Sequence, residues 1–267
     1  MPSAKKSPRT KPTRRNPRDK STGSKSLKRY VEKRDLSKTP EPAGDSRPKA
    51  SAKTKTQLAF CIQKHLATAL HYDFRLEHPA TGTLLSWAVP KGPSVNPRDK
   101  RLAMRVEDHP YDYKDFEGVI PSGYGAGVVM LWDTGTWQPE PGFENVSAAL
   151  QKGELKFTLT GTKLKGSWVL VRTGPASPTG ERERWLLIKH RDATAGELDI
   201  ATAAPNSVKS DLTFEGILKR HPDVWESHKG GNAPAEVEKI VQKVLALNEP
   251  SAAPSHSARR RSPRVRK

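Results

Sequence analysis

The stretch LHYDFRLE (residues 70–77) alternates apolar and ionisable side chains without interruption. Successive side chains of a β-strand point to opposite faces, so one face here is apolar and the other carries His71, Asp73, Arg75 and Glu77. The pattern predicts a strand with its apolar face in a core. HPATG then provides turn residues, and LLSWAVP (84–90) is predicted to return as the next strand.

Runs with the same period of two continue on both sides of this pair, separated by Gly, Pro and Asp turns. They are AFCIQK (59–64), RLAMRVED (101–108), GVVMLWDTGTW (127–137), GELKFTLTG (153–161), KGSWVLVRT (165–173) and RERWLLIKH (182–190). Short strands at such spacings are typical of barrels and sandwiches. We predict a mainly β fold, a closed or nearly closed β-barrel with short helices and a C-terminal amphipathic helix.

Two segments have helical patterns instead. VSAALQK (146–152) predicts a short helix between strands. Near the C-terminus, apolar residues recur at i, i+3, i+4, i+7 and i+8 between Pro234 and Pro250. This second pattern predicts an amphipathic helix, whose apolar stripe docks either on the barrel or on a partner.

Charge is distributed very unevenly along the 267 residues, whose formal net charge is +18. Residues 1–56 carry a net charge of +13 and residues 251–267 a net charge of +6, whereas the segment between them is close to neutral. Residues 1–27 and 251–267 contain too little apolar area to offset the entropy of ordering, so both are predicted to be disordered. Basic arms of this kind favour a polyanionic partner, most simply nucleic acid.

Several classes of protein are disfavoured by composition. No run approaches the roughly 18 apolar residues of a membrane-spanning helix, and no apolar segment typical of a secretory signal follows the basic N-terminus. Cys61 has no second cysteine with which to form an intrachain disulfide. We therefore expect a cytoplasmic protein in a reducing compartment, without a membrane partner.

Four residues within eleven positions indicate a metal centre. Alternation places His71, Asp73 and Arg75 on one face of the predicted strand, and His65 can fold over that face from just upstream. Two imidazoles and a carboxylate leave coordination positions open and suit Mn²⁺, Zn²⁺ or Fe²⁺. Arg75 adds a planar donor for a phosphate oxygen.

A second group of polar residues favours phosphoryl transfer at the same centre. It contains Lys91, Arg101, Arg105, His109 and Tyr113, and alternation keeps Arg105, Glu107 and His109 on one face. Cationic donors beside a metal stabilise charge on a transferring phosphoryl group. For Lys91 and Arg101, solvated strand ends are the alternative interpretation. The glycine-rich GYGAG (123–127) precedes a strand and is predicted to be a turn.

Several of these motifs resemble the 3′-phosphoesterase domain of bacterial DNA ligase D, which also occurs as a free-standing protein. The similar stretches are KHLATALHYDFRLE, LLSWAVPKGPS, KRLAMRVEDHPYDYKDFEGVIPSGYGAG and ERERWLLIKHRD, with KRDLSKTPEP (33–42) upstream. The resemblance implies a manganese-dependent enzyme on a β-barrel. Such an enzyme removes a terminal 3′ ribonucleoside and then the 3′-phosphate at a primer-template end, leaving a 3′-OH for a ligase or polymerase.

The resemblance also implies a role for each matching residue. His65, His71 and Asp73 would bind the metal, and Arg75 and His109 would contact the phosphate. Supporting contacts to the substrate would come from a larger set: Arg34, Asp35, Glu41, Lys91, Arg101 and Tyr113. The stretch from residue 30 to residue 42 should then be an ordered lasso over the site, ion-paired to a basic pocket lined by Lys91 and Arg101.

The implied organisation is a basic arm (1–27), a phosphoesterase barrel with its lasso (28–203), a helical extension (204–250) and a basic tail (251–267). The chain departs from the family pattern at IPSGYGAG, which is one residue shorter and has Ser122 in place of a glutamate. Leu36 replaces the usual aromatic residue after Arg-Asp. No Lys-x-Asp-Gly motif occurs, so we expect a separate ligase or polymerase as partner, and a monomer associated with the bacterial nucleoid.

Three hypotheses follow for function. The first is a Mn²⁺-dependent phosphoesterase that heals 3′ ends of DNA or mixed RNA/DNA. The second is a catalytically silent module that binds nucleic acid on the same barrel. The third is a phosphodiesterase for small nucleotides, which the basic arms disfavour because a small substrate would not need them.

Overall fold

The computed structural model describes residues 27–44, 57–177, 182–221, 224, 231 and 234–247. The predicted arm over 1–27 therefore lies outside the described residues up to position 26, and the predicted tail over 251–267 lies outside them entirely. No helix among the described residues is both long and apolar enough to cross a membrane.

Nine antiparallel strands form one sheet. Their bounds are β1 Leu58–Leu66, β2 Leu70–Glu77, β3 Leu84–Val89, β4 Arg101–Arg105, β5 Gly118–Ile120, β6 Gly127–Pro139, β7 Glu154–Gly161, β8 Lys165–Arg172 and β9 Arg184–Lys189. The hydrogen-bonded order is β1-β2-β3-β4-β9-β8-β7-β6, and β6 also pairs with β1. These eight strands close a barrel, and β5 pairs with β6 outside the ring.

The predicted mainly β barrel is therefore confirmed, with two differences in its elements. β4 ends at Arg105 instead of residue 108, because the register against β3 shifts by one residue between the Trp87–Arg105 pair and the isolated Leu84–His109 bridge. β5 was not predicted from the sequence, since three residues are too few to display a period of two.

Aromatic contacts show which face of the sheet is inside the barrel. Phe74 on β2 packs on Phe157 on β7, with ring centroids 5.8 Å apart, although these two strands are not neighbours in the sheet. Contacts between non-adjacent strands require that the apolar faces point into the interior. The opposite face of β2, with Asp73 and Arg75, therefore lies on the outside of the barrel.

Five helices lie among the described residues: α1 Lys28–Glu32, α2 Val146–Lys152, α3 Ile200–Ala203, α4 Phe214–Lys219 and α5 Ala235–Ala246. α2 matches the predicted span; Asn145 caps its first turn, and Gly153 ends it at a φ of 89°. A 3-10 turn covers Tyr111–Asp115.

α5 is the predicted amphipathic helix, and it docks on the barrel. Its stripe residues Ile240, Val241 and Val244 belong to the main core. Lys243 on the same helix donates from Nζ to the carbonyl of Ala67, 2.6 Å away, in the turn between β1 and β2. The C-terminal helix therefore supports the turn that joins these two strands.

The segment before α4 is also attached to the barrel. Trp132 and Lys163 both donate to the carbonyl of Ala204, at 2.8 Å and 2.9 Å. The Ser207 hydroxyl bonds the carboxylate of Glu117, which in turn accepts from the backbone of β6. The division at residue 204 stays a prediction, but the helices after it pack closely on the barrel.

Candidate metal centre

The β1–β2 hairpin brings the site together through its register. His65 lies directly opposite His71, and Gln63 lies opposite Asp73, so all four side chains share the outer face. His65 is therefore a residue of a regular strand, β1, and it reaches this face from just upstream through cross-strand pairing. Cross-strand pairing places the two imidazole rings 4.9 Å apart between centroids.

His65, His71 and Asp73 each offer a ligand atom, and these atoms lie within 4.8 Å of one another. Nδ1 of His65 and Nε2 of His71 are each 3.6 Å from a different oxygen of the Asp73 carboxylate. Nitrogen and carboxylate ligands on one side of a point suit a divalent transition metal and leave the other side open. The three predicted ligands are thus brought together in an arrangement that fits such an ion.

Backbone carbonyls fix the orientation of both imidazoles. Nε2 of His65 bonds the carbonyl of Gly125 at 2.9 Å, and Nδ1 of His71 bonds the carbonyl of Ala69 at 3.0 Å. A carbonyl only accepts, so these nitrogens carry a hydrogen, and the other nitrogen of each ring faces Asp73 and can serve as a metal ligand. Metal-ligating histidines are commonly oriented in this way.

Arg75 anchors the floor of the site and is only 2% exposed. It donates to Asp73 at 2.9 Å, to Gln63 at 2.8 Å and to the Ser86 hydroxyl at 2.8 Å. These bonds use three of its five N–H groups, which leaves two for an oxyanion in the cavity. Burial alone would raise the pKa of Asp73, but Arg75 and the two histidines outweigh it and hold that pKa well below its usual range.

His109 lies in the same cavity, but as a neutral ring. Arg34 lies 3.2 Å from its Nε2, and since a guanidinium only donates, Nε2 accepts. Nδ1 then donates to the carbonyl of Glu107 at 2.9 Å. Burial, followed by the charges of Arg75 and Arg34, lowers the pKa of His109 well below its usual range. His109 lines the cavity beside Arg34, and its contact to a phosphate stays a prediction.

The segment around α1 is ordered over the site, as the resemblance implied. Glu41 accepts from Arg34 at 2.8 Å and from the Tyr113 hydroxyl at 2.9 Å. Tyr30 is fully buried and packs its ring on His109, with centroids 5.1 Å apart. Fixed contacts to the barrel outweigh the polar composition that alone would predict disorder.

The charges that hold this segment are the reverse of those expected. Lys33 and Arg34 pair with Glu107, at 2.8 Å and 3.1 Å. The expected pairing to Lys91 and Arg101 was wrong, because the barrel presents a buried carboxylate and the segment supplies the cations. Lys33 and Arg34 also lower the pKa of Glu107, against the opposing effect of burial.

Fourteen of the described residues line a cavity of about 130 Å³ around His65, His71 and Asp73. From the predicted set it brings together Arg34, Glu41, His65, His71, Asp73, Arg75, His109 and Tyr113. Lys91 and Arg101 line a separate depression with Lys100 and Asp99. Asp35 is exposed and pairs with Lys38 at 2.9 Å, and Arg105 bonds Asp108 at 2.6 Å.

Several residues of the site were not predicted: Gln63, Ser86, Glu107, Tyr124 and Gly125. Gln63 could have been found, because extending the predicted strand 59–64 to His65 puts both side chains on one face. The pairing of Glu107 could not be predicted from the local sequence, since its partners Lys33 and Arg34 are more than 70 positions away.

Comparisons with known proteins identify the family to which this part of the chain belongs. Residues 63–172 match the family model of the DNA ligase D 3′-phosphoesterase domain. The chain carries a DNA ligase D 3′-phosphoesterase domain. The residues of the phosphoesterase domain that match the family model include the three candidate ligands and Arg75.

Curated relatives point to the same family. The multifunctional non-homologous end joining protein LigD of Pseudomonas aeruginosa is 48% identical over 202 residues, which cover 74% of this chain and 22% of that protein. LigD of Mycobacterium tuberculosis is 42% identical over 177 residues, covering 65% of this chain and 21% of the relative. The chain thus spans about a fifth of the length of these relatives.

Proposed function

We propose that this protein is a metal-dependent phosphoesterase that heals the 3′ ends of DNA or mixed RNA/DNA during non-homologous end joining. It would remove a 3′-terminal ribonucleoside and then the 3′-phosphate, leaving a 3′-OH for a separate ligase or polymerase. The observation that carries the proposal is the meeting of His65, His71 and Asp73 with two guanidiniums in one cavity of a 3′-phosphoesterase domain.

A divalent ion, for which we propose Mn²⁺, would act as a Lewis acid and make a bound water more acidic. His65, His71 and Asp73 would hold it, because each offers a ligand atom and these atoms lie within 4.8 Å of one another. Arg75 and Arg34 would donate to the phosphate oxygens and stabilise the charge that they gain in the transition state. Rigid burial of Arg75 means that little reorganisation is required when this charge develops.

Both proposed reactions are hydrolyses. A water oxygen forms the new bond to phosphorus, and the bond from phosphorus to the departing oxygen breaks as that oxygen takes a proton. The departing group is the 5′-hydroxyl of the ribonucleoside in the first reaction and the 3′-hydroxyl of the strand in the second. A phosphate near Nε2 would favour the protonated ring of His109, which would then donate to the anion.

A catalytically silent binding module is the second candidate. It is supported by the basic arms, which would contact phosphates of any sequence. It gives no reason for two oriented imidazoles and a carboxylate within 4.8 Å. We therefore favour the enzyme, acting in the cytoplasm on nucleoid DNA as a monomer.

The test is an assay of the full chain on primer-templates that end in a 3′-phosphate or a single 3′-ribonucleotide, with Mn²⁺ or with a chelator. We expect phosphate release only with the metal. Asp73→Asn should abolish release, whereas Asp192→Asn, which changes a carboxylate bonded to Lys189 elsewhere on the barrel, should not. Binding without hydrolysis in every condition would support the silent module instead.

A further inference from the structure

The mouth of the cavity carries an aromatic ring that the proposed chemistry does not use. Tyr124 lines the cavity and is still 50% exposed, whereas Tyr30 and Tyr113 at the same site are buried. Those two tyrosines use their hydroxyls to bond Pro42 and Glu41. The Tyr124 hydroxyl makes no hydrogen bond to any residue that the structure describes, so hydrogen bonding does not explain its position.

The backbone next to Tyr124 contacts one of the candidate metal ligands. Gly125, its neighbour, accepts the hydrogen bond from His65 at 2.9 Å. Consecutive Cα atoms are about 3.8 Å apart, so the Cα atom that carries the Tyr124 side chain lies about that far from the Cα atom of Gly125, which contacts a candidate ligand. A group that occupies the cavity would therefore have its attached parts within reach of this ring.

Two cations lie against the same ring. Lys33 Nζ is 5.0 Å and Arg34 Cζ is 5.3 Å from its centroid. Both are also paired with the buried carboxylate of Glu107, which holds the two cations in place. A half-exposed aromatic ring with fixed positive charge close to it is the combination that binds a base and its phosphate in single-stranded nucleic acid.

We propose that Tyr124 forms a nucleobase subsite, on which the base of the 3′-terminal nucleotide stacks while its phosphate occupies the cavity. This inference rests on the proposed function. Stacking uses the π face that every base has, so the subsite accepts all four bases. Its role is to position the end of the strand, and it takes no part in bond breaking.

The test combines a change in the protein with a change in the substrate. Tyr124→Ala, Tyr124→Phe and Tyr124→Trp are compared on 3′-phosphate primer-templates whose terminal nucleotide is normal or abasic. Loss of one stacked base corresponds to about a 5- to 140-fold weaker binding. We expect Tyr124→Ala to show this loss in KM on the normal end and little change on the abasic end. Phe and Trp should preserve the wild-type preference.

A second readout does not depend on turnover. The dephosphorylated product end, with 2-aminopurine as its terminal base, should lose fluorescence on binding to the wild type and to Tyr124→Phe, but not to Tyr124→Ala. Leu198→Ala, which removes another exposed apolar side chain, is the matched control and should behave as wild type.

The possible failures are distinguishable. An inactive wild-type protein on every end would overturn the proposed function itself. An active wild type with equal losses on normal and abasic ends in Tyr124→Ala would overturn the subsite alone. A defect in Tyr124→Phe as large as in Tyr124→Ala would also overturn it, because the hydroxyl and not the ring would then be responsible.

Discussion

Nη2 of Arg34 lies 3.2 Å from Nε2 of His109, and this contact joins the N-terminal segment to the barrel face that carries the candidate metal ligands. Arg34 also bonds Glu41 within its own segment and Glu107 beside His109, so one guanidinium connects these two parts of the chain. The cavity is therefore built jointly by the barrel and by a segment that precedes it.

Removal of that segment should disable the site. A variant that starts at residue 45 leaves Glu107 buried without Lys33 and Arg34, and it opens one wall of the cavity. We expect its single-turnover rate at saturating DNA in low salt to fall by orders of magnitude, whereas a variant starting at residue 27 keeps the wild-type rate. Equal rates for the two variants would show that the barrel alone is the working enzyme.

The three candidate ligands should differ in their effect on stability. Alanine at His65, His71 or Asp73 is expected to abolish Mn²⁺ binding in calorimetry and hydrolysis with it. Asp73→Ala also leaves buried Arg75 without its carboxylate and should lower the free energy of unfolding by about 3 kcal/mol. His71 is more exposed, so His71→Ala should unfold close to wild type. Retained metal affinity in any of the three would refute that ligand.

Arg75 should act on the phosphate and not on the metal. We expect Arg75→Lys to bind Mn²⁺ but to react about 10²- to 10³-fold more slowly, because an ammonium cannot replace the planar donor that contacts Gln63, Ser86 and Asp73 at once. Arg98→Lys, at an exposed ion pair with Glu197, is the control. A metal-free Arg75→Lys protein would assign Arg75 to the metal site instead.

The depressed pKa of His109 predicts how stability depends on pH. Below about pH 6.5 the unfolded chain protonates this ring while the folded protein does not, so the unfolded state is favoured as the pH falls. The free energy of unfolding, measured with a chelator, should drop by up to about 1.4 kcal/mol per pH unit from this group. His109→Gln should reduce the slope between pH 6.5 and 5, and His190→Gln provides the comparison. An unchanged slope in His109→Gln would mean that the ring is protonated in the folded state.

The basic arms should control affinity without affecting chemistry. Residues 1–26 and 251–267 carry nine and six lysines and arginines. Their removal should weaken DNA binding and flatten its dependence on salt, because fewer counterions are released. Single-turnover rates at saturating DNA should stay the same, and a large fall would indicate that an arm reaches the cavity.

The sequence was sufficient where a local pattern determined the structure. The period of LHYDFRLE predicted both the strand and the shared face of His71, Asp73 and Arg75, because alternation depends only on the strand itself. The N-capped helix at 146–152 was predicted for a similar reason.

Contacts between distant parts of the chain could not be predicted in the same way. The alternation that grouped Arg105 with His109 does not hold, because the pairing with β3 shifts by one residue between Arg105 and the bridge of His109 to Leu84. The partners of Glu107 depend on how the N-terminal segment lies over the barrel, which no period in the sequence encodes. Tyr124 appeared only as part of a glycine-rich turn, and its place at the cavity depends on the pairing of β5 with β6.

Closure of the barrel has a practical consequence for anyone who wishes to produce a shorter fragment. The residues that match the family model end at position 172, at the end of β8, while β9 bonds both β4 and β8 and follows that boundary. A gene fragment cut at 63–172 would expose two unpaired strand edges, and such edges promote aggregation. It would also omit Lys243, which supports the turn between the two histidines. Expression boundaries should follow the hydrogen-bonded ring and its C-terminal support, and extend at least from residue 27 to residue 247.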